Sequence, residues 1–307
     1  MASPVSRVSA IITTFNRAEL LRGAIASVLG QTFRDFELII LDNSSADHTR
    51  VVLAGIDDPR ARCLTHPPLT IAQSRNLGLR EARGEYVAFL DDDDEWLPGK
   101  LECQLARFEE SPATLGLVYG GFVRIDASGR ELGTHRPRLR GKVQTALLWQ
   151  KDAFTGSASN PMMRTAAIQA VGGFDDSLSA SEDWELYLRL TERYDVGDVS
   201  DVVVRIRTHP GARLGDRIGD ARKVEEVVLS RYGPGMGPRL KSFYLRKIGG
   251  KLLRLGAARD GRARLLQAIR SDPLNPLGYV QYGLSYAGPE AYERIHRWYK
   301  WILRTSA

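Results

Sequence analysis

The sequence has few of the features that mark a disulfide-rich, zinc-binding or membrane-spanning protein. Its two cysteines, Cys63 and Cys103, lie far apart and outside any CxxC motif, so neither a zinc site nor a disulfide framework is predicted. No apolar run approaches the roughly 20 residues that a membrane span needs. The first residues also lack the apolar stretch of a signal peptide. We therefore expect a cytoplasmic protein whose only contact with a membrane is peripheral.

Positive charge is in slight excess, and the charged residues are unevenly distributed along the chain. The 307 residues include 43 lysines and arginines against 37 aspartates and glutamates, a net charge of +6. Basic residues cluster at 136–142 and 239–254, whereas residues 91–95 are acidic. The basic stretches suit anionic lipid, a phosphorylated substrate or nucleic acid, or they are solvated faces without a partner. Because no nucleic-acid recognition module is visible, no nucleic-acid partner is predicted.

The hydrophobic pattern predicts an α/β fold. Continuous apolar runs at residues 8–14, within 36–45 and at 85–90 alternate with segments whose apolar residues recur at helical spacing. Strands that are apolar on both faces need helices on each side of their sheet. The alternation therefore predicts a mostly parallel sheet with covering helices.

Local signals predict where several of these elements begin and end. Asn16 and Glu19 have the spacing of a helix-start pair, and Gly84 is expected to end the helix that begins near residue 70. The middle of the chain predicts a hairpin with a Ser-Gly turn. Residues 143–160 look irregular, and the chain is predicted to be helical from about Arg222 onward.

Polar side chains follow three of the predicted strands at the point where each strand ends. In open α/β sheets, ligands bind beyond the carboxyl ends of the strands. We expect the polar residues there to form one site, and they are Thr13, Thr14, Asn16, Asp42, Asn43, Ser44 and the run from Asp91 to Asp94.

The run of four aspartates at 91–94 is the strongest single signal. Adjacent carboxylates repel one another, and a divalent cation relieves that repulsion. Mg²⁺ typically takes one or two carboxylates together with phosphate oxygens. Alternate residues place Asp91 and Asp93 on one side, which predicts a metal site; the alternative is a solvated acidic turn.

Three further positions hold candidate functional residues, and each also has a purely structural interpretation. Glu182 and Asp183 open a predicted helix, where one of them is a candidate general base or both merely favour the helix dipole. Arg75 has the forked donors that bind a diphosphate, or it lies on a solvated helix face. His209 follows a predicted strand and is either an extra metal or phosphate ligand or an ordinary structural histidine.

Five motifs occur in the order VSAIITTFNR, FELIILDNSS, SRNLGLREARGEYVAFLDDDDEWLP, GGFDDSL and SEDWELYLRL. Together they resemble the family-2 inverting glycosyltransferases of GT-A fold, of the type that assembles bacterial polysaccharides. The resemblance covers residues 7 to about 210, two thirds of the chain.

The resemblance implies a GT-A (Rossmann-like) nucleotide-diphospho-sugar transferase fold with a mostly parallel mixed sheet. Residues 1–125 would be its nucleotide-sugar-binding half, residues 126–220 its acceptor-binding half, and residues 221–307 a C-terminal helical extension. The activity implied is transfer of a sugar from a nucleotide-diphosphate donor, by default a UDP-sugar, to an acceptor hydroxyl.

Site roles also come from the resemblance. By the resemblance, Thr13 and Asp42 would line the nucleoside pocket, and Asp91 and Asp92 would lie near the ribose and the sugar. Three further residues are predicted to bind the nucleotide sugar from the residues themselves: Thr14 and Asn16 by their place after the first strand, and Arg75 by its forked donors. Asp42 would contact the base, Asp93 would bind Mn²⁺ or Mg²⁺ with His209 as a further ligand, and Asp183 would be the general base. Asp94 receives no role.

The implied partners are the donor and a saccharide or lipid-linked acceptor. The amphipathic residues 289–307 are expected either to contact the membrane peripherally or to pack on the body of the protein or a second subunit, and a homodimer is a further expectation. Two other functions stay open: a sugar-nucleotide nucleotidyltransferase and a non-catalytic binding relative. Nucleotidyltransferases of this kind usually have a glycine-rich phosphate loop after the first strand, and TTFNRAELL lacks one.

Overall fold

The computed structural model describes residues 6–150, 155–208, 218–288 and 292–294. The chain divides into two compact units, Met1–Gly211 and Ala212–Ala307, here called the N-terminal and the C-terminal unit. The three-part division predicted from the sequence stays a proposal.

The described strands, in chain order, are β1 (Val8–Thr14), β2 (Phe36–Asp42), β3 (Ala61–Thr65), β4 (Tyr86–Asp91), β5 (Glu95–Trp96), β6 (Leu115–Ile125), β7 (Glu131–His135), β8 (Met162–Arg164) and β9 (Asp195–Arg207). The helices of the N-terminal unit are α1 (Ala18–Leu29), α2 (Thr49–Ala54), α3 (Ile71–Glu81), α4 (Lys100–Glu109), α5 (Gln144–Trp149), α6 (Thr165–Ala170) and α7 (Glu182–Arg193). The C-terminal unit contains α8 (Ile218–Tyr232), a 3₁₀ turn (Gly233–Gly235), α9 (Pro238–Arg254), α10 (Ala258–Ser271) and α11 (Pro276–Leu284).

One mixed sheet of nine strands organises the N-terminal unit, in the order β3-β2-β1-β4-β8-β6-β9-β5, with β7 paired to β6. Strands β1 to β4 are parallel, β8 is antiparallel to both of its neighbours, and β9 is parallel to β6. Every residue of β1 and β2 is buried, because helices cover both faces of the sheet. The predicted α/β class and mostly parallel mixed sheet are confirmed.

The register of the central strands brings their carboxyl ends to one edge of the sheet. In β1, Thr14 pairs with Asp42 of β2, and Thr13 pairs with Asp91 of β4. Neighbouring strands lie about 4.8 Å apart, so the polar residues that follow these three strands are close neighbours. The sequence predicted this meeting of polar residues at one edge of the sheet.

The predicted hairpin in the middle of the chain is confirmed. Strand β6 pairs antiparallel with β7, and the turn between them has Gly129 at a φ of +86°. The amide of Asp126 donates to the carbonyl of Arg130, which closes the turn. A side chain at position 129 would strain this left-handed conformation, which glycine adopts freely.

Three local predictions are wrong. Asn16 does not cap α1, whose N-cap is Arg17 without a side-chain hydrogen bond. Helix α3 ends at Glu81 rather than at Gly84. A Cβ at Gly84 would lie 2.6 Å from the amide nitrogen of Ser9, so this glycine is needed for close backbone approach rather than for helix termination.

The third error concerns residues 143–160, which contain the short helix α5. Its six residues bury only Leu147 and Leu148. So short a segment shows no clear helical period in the sequence, and tertiary packing decides its conformation.

Helices α9 and α10 contribute Leu253 and Leu265 to a small apolar cluster that also contains Tyr292. Helices α9 and α10 approach closely at Gly249, where a Cβ would lie 2.9 Å from Leu265 and 3.0 Å from the carbonyl of Gly261. Within the described residues, every helix is too short or too polar to cross a bilayer.

Candidate active site

The aspartate run turns back on itself at the end of β4. The amide of Asp94 donates to the carbonyl of Asp91 over 3.1 Å. This turn brings one carboxylate oxygen from each of Asp91, Asp93 and Asp94 within 4.8 Å of one another. Three such oxygens are suitable ligands for a hard divalent cation.

Asp94, to which the sequence analysis assigned no role, is buried and accepts three hydrogen bonds. Its carboxylate accepts hydrogen bonds from the hydroxyls of Ser157 (2.9 Å) and Ser159 (2.6 Å) and from the amide of Arg207 (2.8 Å). Burial, with the charges of Asp91 and Asp93, raises the pKa of Asp94 well above its usual range. Asp91 also accepts hydrogen bonds, from Arg75 and Ser157, and Asp93 accepts one from Arg17. Because Asp91 and Asp93 are partly exposed whereas Asp94 is buried, they are the more accessible candidate ligands.

A buried lysine supports the loop that carries these two serines. The Nζ of Lys100 donates to Oε1 of Gln104 and, over 2.8 Å, to the carbonyl of Asn160. It also lies 4.7 Å from the centre of the Trp96 ring, and burial lowers its pKa to about 7. Trp96 in turn donates from its indole to the carbonyl of Ser159. These contacts fix the loop against α4, and nothing in the sequence indicated them.

The carboxylate of Asp92 has a different set of partners. It accepts from the hydroxyl of Thr14 (2.8 Å) and from Arg17 (3.0 Å). Burial raises the pKa of Asp92 to about 6, against the opposing effects of Arg17 and Thr14.

Arg17 connects Asp92 to Asp93, because the same nitrogen donates to Asp93 over 2.7 Å. Its side chain remains about half exposed. Sequence analysis missed Arg17, although its position directly after the first strand could have indicated it.

Asp42 is fully buried at the end of β2. Its Oδ1 accepts from the amide of Ser45 over 3.0 Å, but its Oδ2 has no hydrogen-bond partner among the described residues. A buried carboxylate oxygen without a donor is costly. The site therefore has an acceptor available for an N–H group of a ligand.

Three residues in the left-handed region surround this edge. Among the residues that the structure describes, the non-glycine residues with positive φ are Asn16 (53°), Ser44 (59°) and Ser181 (61°). Asn16 accepts from the amide of Ala46 over 2.7 Å, which ties the loop after β1 to the loop after β2. Such conformations cost energy and cluster at functional sites.

Arg75 joins the end of β4 to the start of α7. Its NH2 group donates to Asp91 over 2.6 Å, and its NH1 group donates to Glu182. Because Arg75 is almost completely buried, the alternative of a solvated helix face is wrong. Burial raises the pKa of Glu182 to about 7, with the Arg75 cation opposing. Whether Arg75 also contacts a diphosphate stays a prediction.

Asp183 differs from its neighbour in exposure. Glu182 is buried against Arg75, whereas Asp183 is partly exposed and accepts from the amide of Trp184 over 2.7 Å. Its charge acts on Arg75 together with those of Asp91 and Glu182. Asp183 therefore belongs to the same charged group as the aspartate run.

Of the remaining candidates, Thr13 is buried in β1 beside Asp91. His209 lies outside the described residues, as does most of segment 289–307. The structure thus brings the other candidates to one edge of the sheet, while their individual roles stay predictions.

The bridge made by Arg75 has a testable effect on stability. Arg75→Met should lower the free energy of unfolding by about 3–5 kcal/mol, because Glu182 and Asp91 lose their common cation. Urea unfolding followed by circular dichroism measures this. The control is Arg80→Met, an exposed residue of the same helix, with an expected change within about 0.5 kcal/mol. Equal losses for the two variants would refute a stabilising bridge.

A mostly parallel sheet with polar groups and an aspartate run beyond its carboxyl edge defines the GT-A class of fold. The fold is shared with Staphylococcus aureus TarS: the structure of its residues 1–349 with UDP-GlcNAc matches at a TM-score of 0.66 and 15% identity, over 96% of this chain and 91% of that one.

Within that class, the chain belongs to glycosyl transferase family 2, whose model matches residues 9–172. This membership disfavours the nucleotidyltransferase alternative.

Curated relatives are similar over parts of the chain. The Escherichia coli UDP-Glc:alpha-D-GlcNAc-diphosphoundecaprenol beta-1,3-glucosyltransferase WfgD is 34% identical over 120 residues, 39% of this chain and 47% of that protein. The Campylobacter jejuni GalNAc(5)-diNAcBac-PP-undecaprenol beta-1,3-glucosyltransferase is 39% identical over 111 residues, 35% of this chain and 36% of that protein. An uncharacterized glycosyltransferase of Rickettsia bellii is 29% identical over 204 residues, 66% of this chain and 29% of that protein. The chain therefore spans less than half the length of these three proteins.

Proposed function

We propose that this protein is an inverting, metal-dependent glycosyltransferase that moves a sugar from a UDP-sugar to an acceptor hydroxyl. The observation that carries the proposal is the charged group at one sheet edge, where Arg75 links Asp91 to the start of α7 and hence to Asp183. This link supports a site that combines a candidate metal ligand with a candidate base.

The nucleotide would bind across the ends of β1 and β2. The unpartnered Oδ2 of Asp42 would accept a hydrogen bond from the N–H group of a uracil ring. Thr13, Thr14 and Asn16 would border the nucleoside. Support comes from the names of two relatives, WfgD with UDP-glucose and TarS in complex with UDP-GlcNAc.

Asp91 and Asp93 would hold Mn²⁺ or Mg²⁺, and their oxygen ligands fit either ion. Bound there, the ion would supply Lewis-acid stabilisation of the charge that develops on the leaving diphosphate. The half-exposed Arg17, held by Asp92 and Asp93, would add a second positive charge next to that leaving group.

Asp183 would take the proton from the acceptor hydroxyl. The acceptor oxygen then forms a bond to the anomeric carbon as the bond from that carbon to the diphosphate breaks, and UDP leaves. Attack from the face opposite the leaving group inverts the anomeric carbon. Glu182 cannot take this role, because its carboxylate is buried against Arg75.

The names of two relatives support a proposal for the acceptor class. WfgD and the Campylobacter jejuni protein are named for acceptors linked through a diphosphate to undecaprenol. We propose a lipid-linked saccharide as the acceptor here, in cell-surface polysaccharide or glycolipid assembly at the cytoplasmic side of the membrane. A homodimer stays a prediction.

Nucleotide binding provides the direct test. UDP with Mn²⁺ should raise the melting temperature, since a ligand at a hundred times its Kd adds about 2.7 kcal/mol to the free energy of unfolding. Asp42→Asn should abolish most of that increase, because its amide presents a donor to the N–H group of the base. Differential scanning fluorimetry with UDP, GDP, TDP and CDP, with and without Mn²⁺, measures both.

The control for this test is Asp57→Asn, an exposed aspartate in the loop after α2, which should keep the full increase. If no nucleotide stabilises the wild-type protein with metal, the proposed function is wrong. If UDP stabilises Asp42→Asn as well as it stabilises the wild type, then Asp42 does not bind the base.

A further inference from the structure

One asparagine of α3 holds the segment that leads to α7. Residues 171–181, here called the α6–α7 loop, connect these two helices. The Nδ2 group of Asn76 donates to the carbonyl of Phe174 over 2.8 Å and to Oδ1 of Asp176 over 2.7 Å. Its Oδ1 accepts from the backbone amide of Phe174 over 2.8 Å. Asn76 therefore uses both its donor group and its acceptor on this loop.

The backbone of the loop permits this close approach. Gly173, directly before Phe174, has a φ of +70°, and a Cβ there would lie 2.6 Å from Oδ1 of Asn76. Another residue at this position would be strained in the left-handed conformation and would collide with that oxygen. The glycine thus allows the backbone of Phe174 to reach Asn76.

Phe174, the residue that Asn76 holds, contacts the charged group of the candidate site. Its buried ring meets Phe89 of β4 edge-on, with the ring centres 5.1 Å apart. The same ring lies 5.6 Å from the guanidinium carbon of Arg75, and an aromatic face at this distance attracts a cation. Phe174 therefore packs on the strand that ends at Asp91 and on the cation that binds Asp91.

Two consecutive residues of α3 thus bind the chain on either side of the α6–α7 loop. Asn76 binds the loop at Phe174, and Arg75 binds Glu182, the first residue of α7. Helix α3 itself packs on β1 and β2, the strands whose ends form the proposed nucleotide site. Asp183 follows Glu182 directly, so its position relative to that site depends on both contacts.

We propose that Asn76 is a positioning residue for the candidate base: by fixing Phe174, it sets the start of α7 and hence the place of Asp183 relative to the aspartate run. The inference rests on the proposed transfer reaction. Asn76 contacts neither donor nor acceptor in this role, and it differs from Arg75, which carries a charge and binds Asp91 directly. Misplacing a catalytic group by about 1 Å can lower a rate about 10²-fold.

Asn76→Asp tests the proposal with a change of nearly the same shape. An aspartate at position 76 still accepts from the backbone amide of Phe174, but it loses both donated hydrogen bonds and faces the carboxylate of Asp176. We expect kcat for sugar transfer to fall by about 10²-fold. The KM for the UDP-sugar should stay near the wild-type value, because only an interaction made in the transition state is lost.

Exchanging the two side chains should restore part of the rate. In Asn76→Asp/Asp176→Asn, the amide at position 176 donates to the carboxylate at position 76. A hydrogen bond to a charged group contributes a factor of about ten or more, so kcat should recover by about tenfold relative to Asn76→Asp. Asp176→Asn alone keeps an acceptor for Asn76 and should keep most of the wild-type kcat.

Two measurements follow these variants. The rate is measured as UDP release from UDP-glucose in the presence of GlcNAc-diphosphoundecaprenol, the donor and acceptor for which WfgD is named. Hydrogen exchange followed by mass spectrometry measures the contact independently of turnover, and residues 173–183 should exchange faster in Asn76→Asp than in the wild type. A UDP-dependent increase in melting temperature identifies folded variants.

The matched control is Asn275→Ala in the C-terminal unit. Asn275 caps α11 by accepting from the backbone amide of Leu277 over 3.1 Å. Loss of this cap should lower the melting temperature, because a cap contributes to helix stability. It should change neither kcat nor the exchange of residues 173–183.

The outcomes distinguish this inference from the proposed function. A wild-type protein that neither binds UDP with Mn²⁺ nor releases UDP from UDP-glucose would refute the proposed function, and the positioning role with it. An active wild type with an Asn76→Asp variant that melts earlier but keeps its kcat would leave the proposed function in place and overturn the positioning role, since Asn76 would then be structural only. An increase in KM alone would also overturn it, because Asn76 would then act on donor binding.

Discussion

Asp183→Asn is expected to lower kcat for sugar transfer by about 10²–10⁴-fold, the usual contribution of a general base. An amide at the start of α7 cannot take the proton of the acceptor hydroxyl. Binding of UDP should be unchanged, because Asp183 is not proposed to contact the nucleotide. UDP release in the presence of a lipid-linked acceptor measures the rate, and the UDP-dependent melting temperature measures binding.

Two further variants separate catalysis from structure. Glu192→Gln changes an exposed carboxylate of the same helix and should leave the rate unchanged. Glu182→Gln removes a buried carboxylate bonded to Arg75, so we expect it to lower stability as well as activity. An Asp183→Asn protein that transfers sugar at the wild-type rate would remove Asp183 as the base.

Asp93→Asn is the second change with a large expected effect. Replacing one of the two more accessible carboxylates should weaken Mn²⁺ binding and lower kcat by about 10²–10³-fold, the size of effect seen when a stabilising group at a developing anion is lost. Electron paramagnetic resonance of free Mn²⁺ measures the affinity independently of turnover. A chelator should abolish the activity of the wild-type protein.

Asp94→Asn distinguishes a ligand from a positioning residue. Its carboxylate accepts hydrogen bonds from Ser157 and Ser159, so its replacement should lower the melting temperature, whereas Asp93→Asn should change it little. The exposed Asp57→Asn is the control for both. Full activity in chelator, or unchanged Mn²⁺ affinity in Asp93→Asn, would contradict the proposed metal site.

Much of the fold could be predicted because the signals for it are local. The runs that became β1, β2 and β4 are apolar at nearly every position, and only a sheet covered on both faces buries such strands completely. Parallel strands end at the same edge, so the meeting of Thr14, Asp42 and Asp91 followed from topology alone. The hydrophobic pattern predicted the α/β class, whereas the GT-A assignment came from the resemblance of the five motifs.

The site was less predictable from the sequence, because residues of the same type differ in burial and in hydrogen-bond partners once the chain has folded. The four consecutive aspartates are indistinguishable in the sequence. In the structure, Asp92 contacts Thr14 and Arg17, whereas Asp94 contacts two serines more than 60 residues away. No spacing rule indicates such partners. Asn16 failed as a helix cap for the same reason: its side chain binds the amide of Ala46, which folding brings near.

The sequence by itself determined the α/β class with its first apolar strands, the edge where the polar residues meet, and the residue types that carry the charge there. These features depend on hydrophobic period and strand direction, which act along the chain. Only the tertiary structure decided that Arg75 is buried between Asp91 and Glu182, and that Asp183 rather than Glu182 keeps an accessible carboxylate. Those differences arise from desolvation and from partners distant in the chain, and both exist only once the chain has folded.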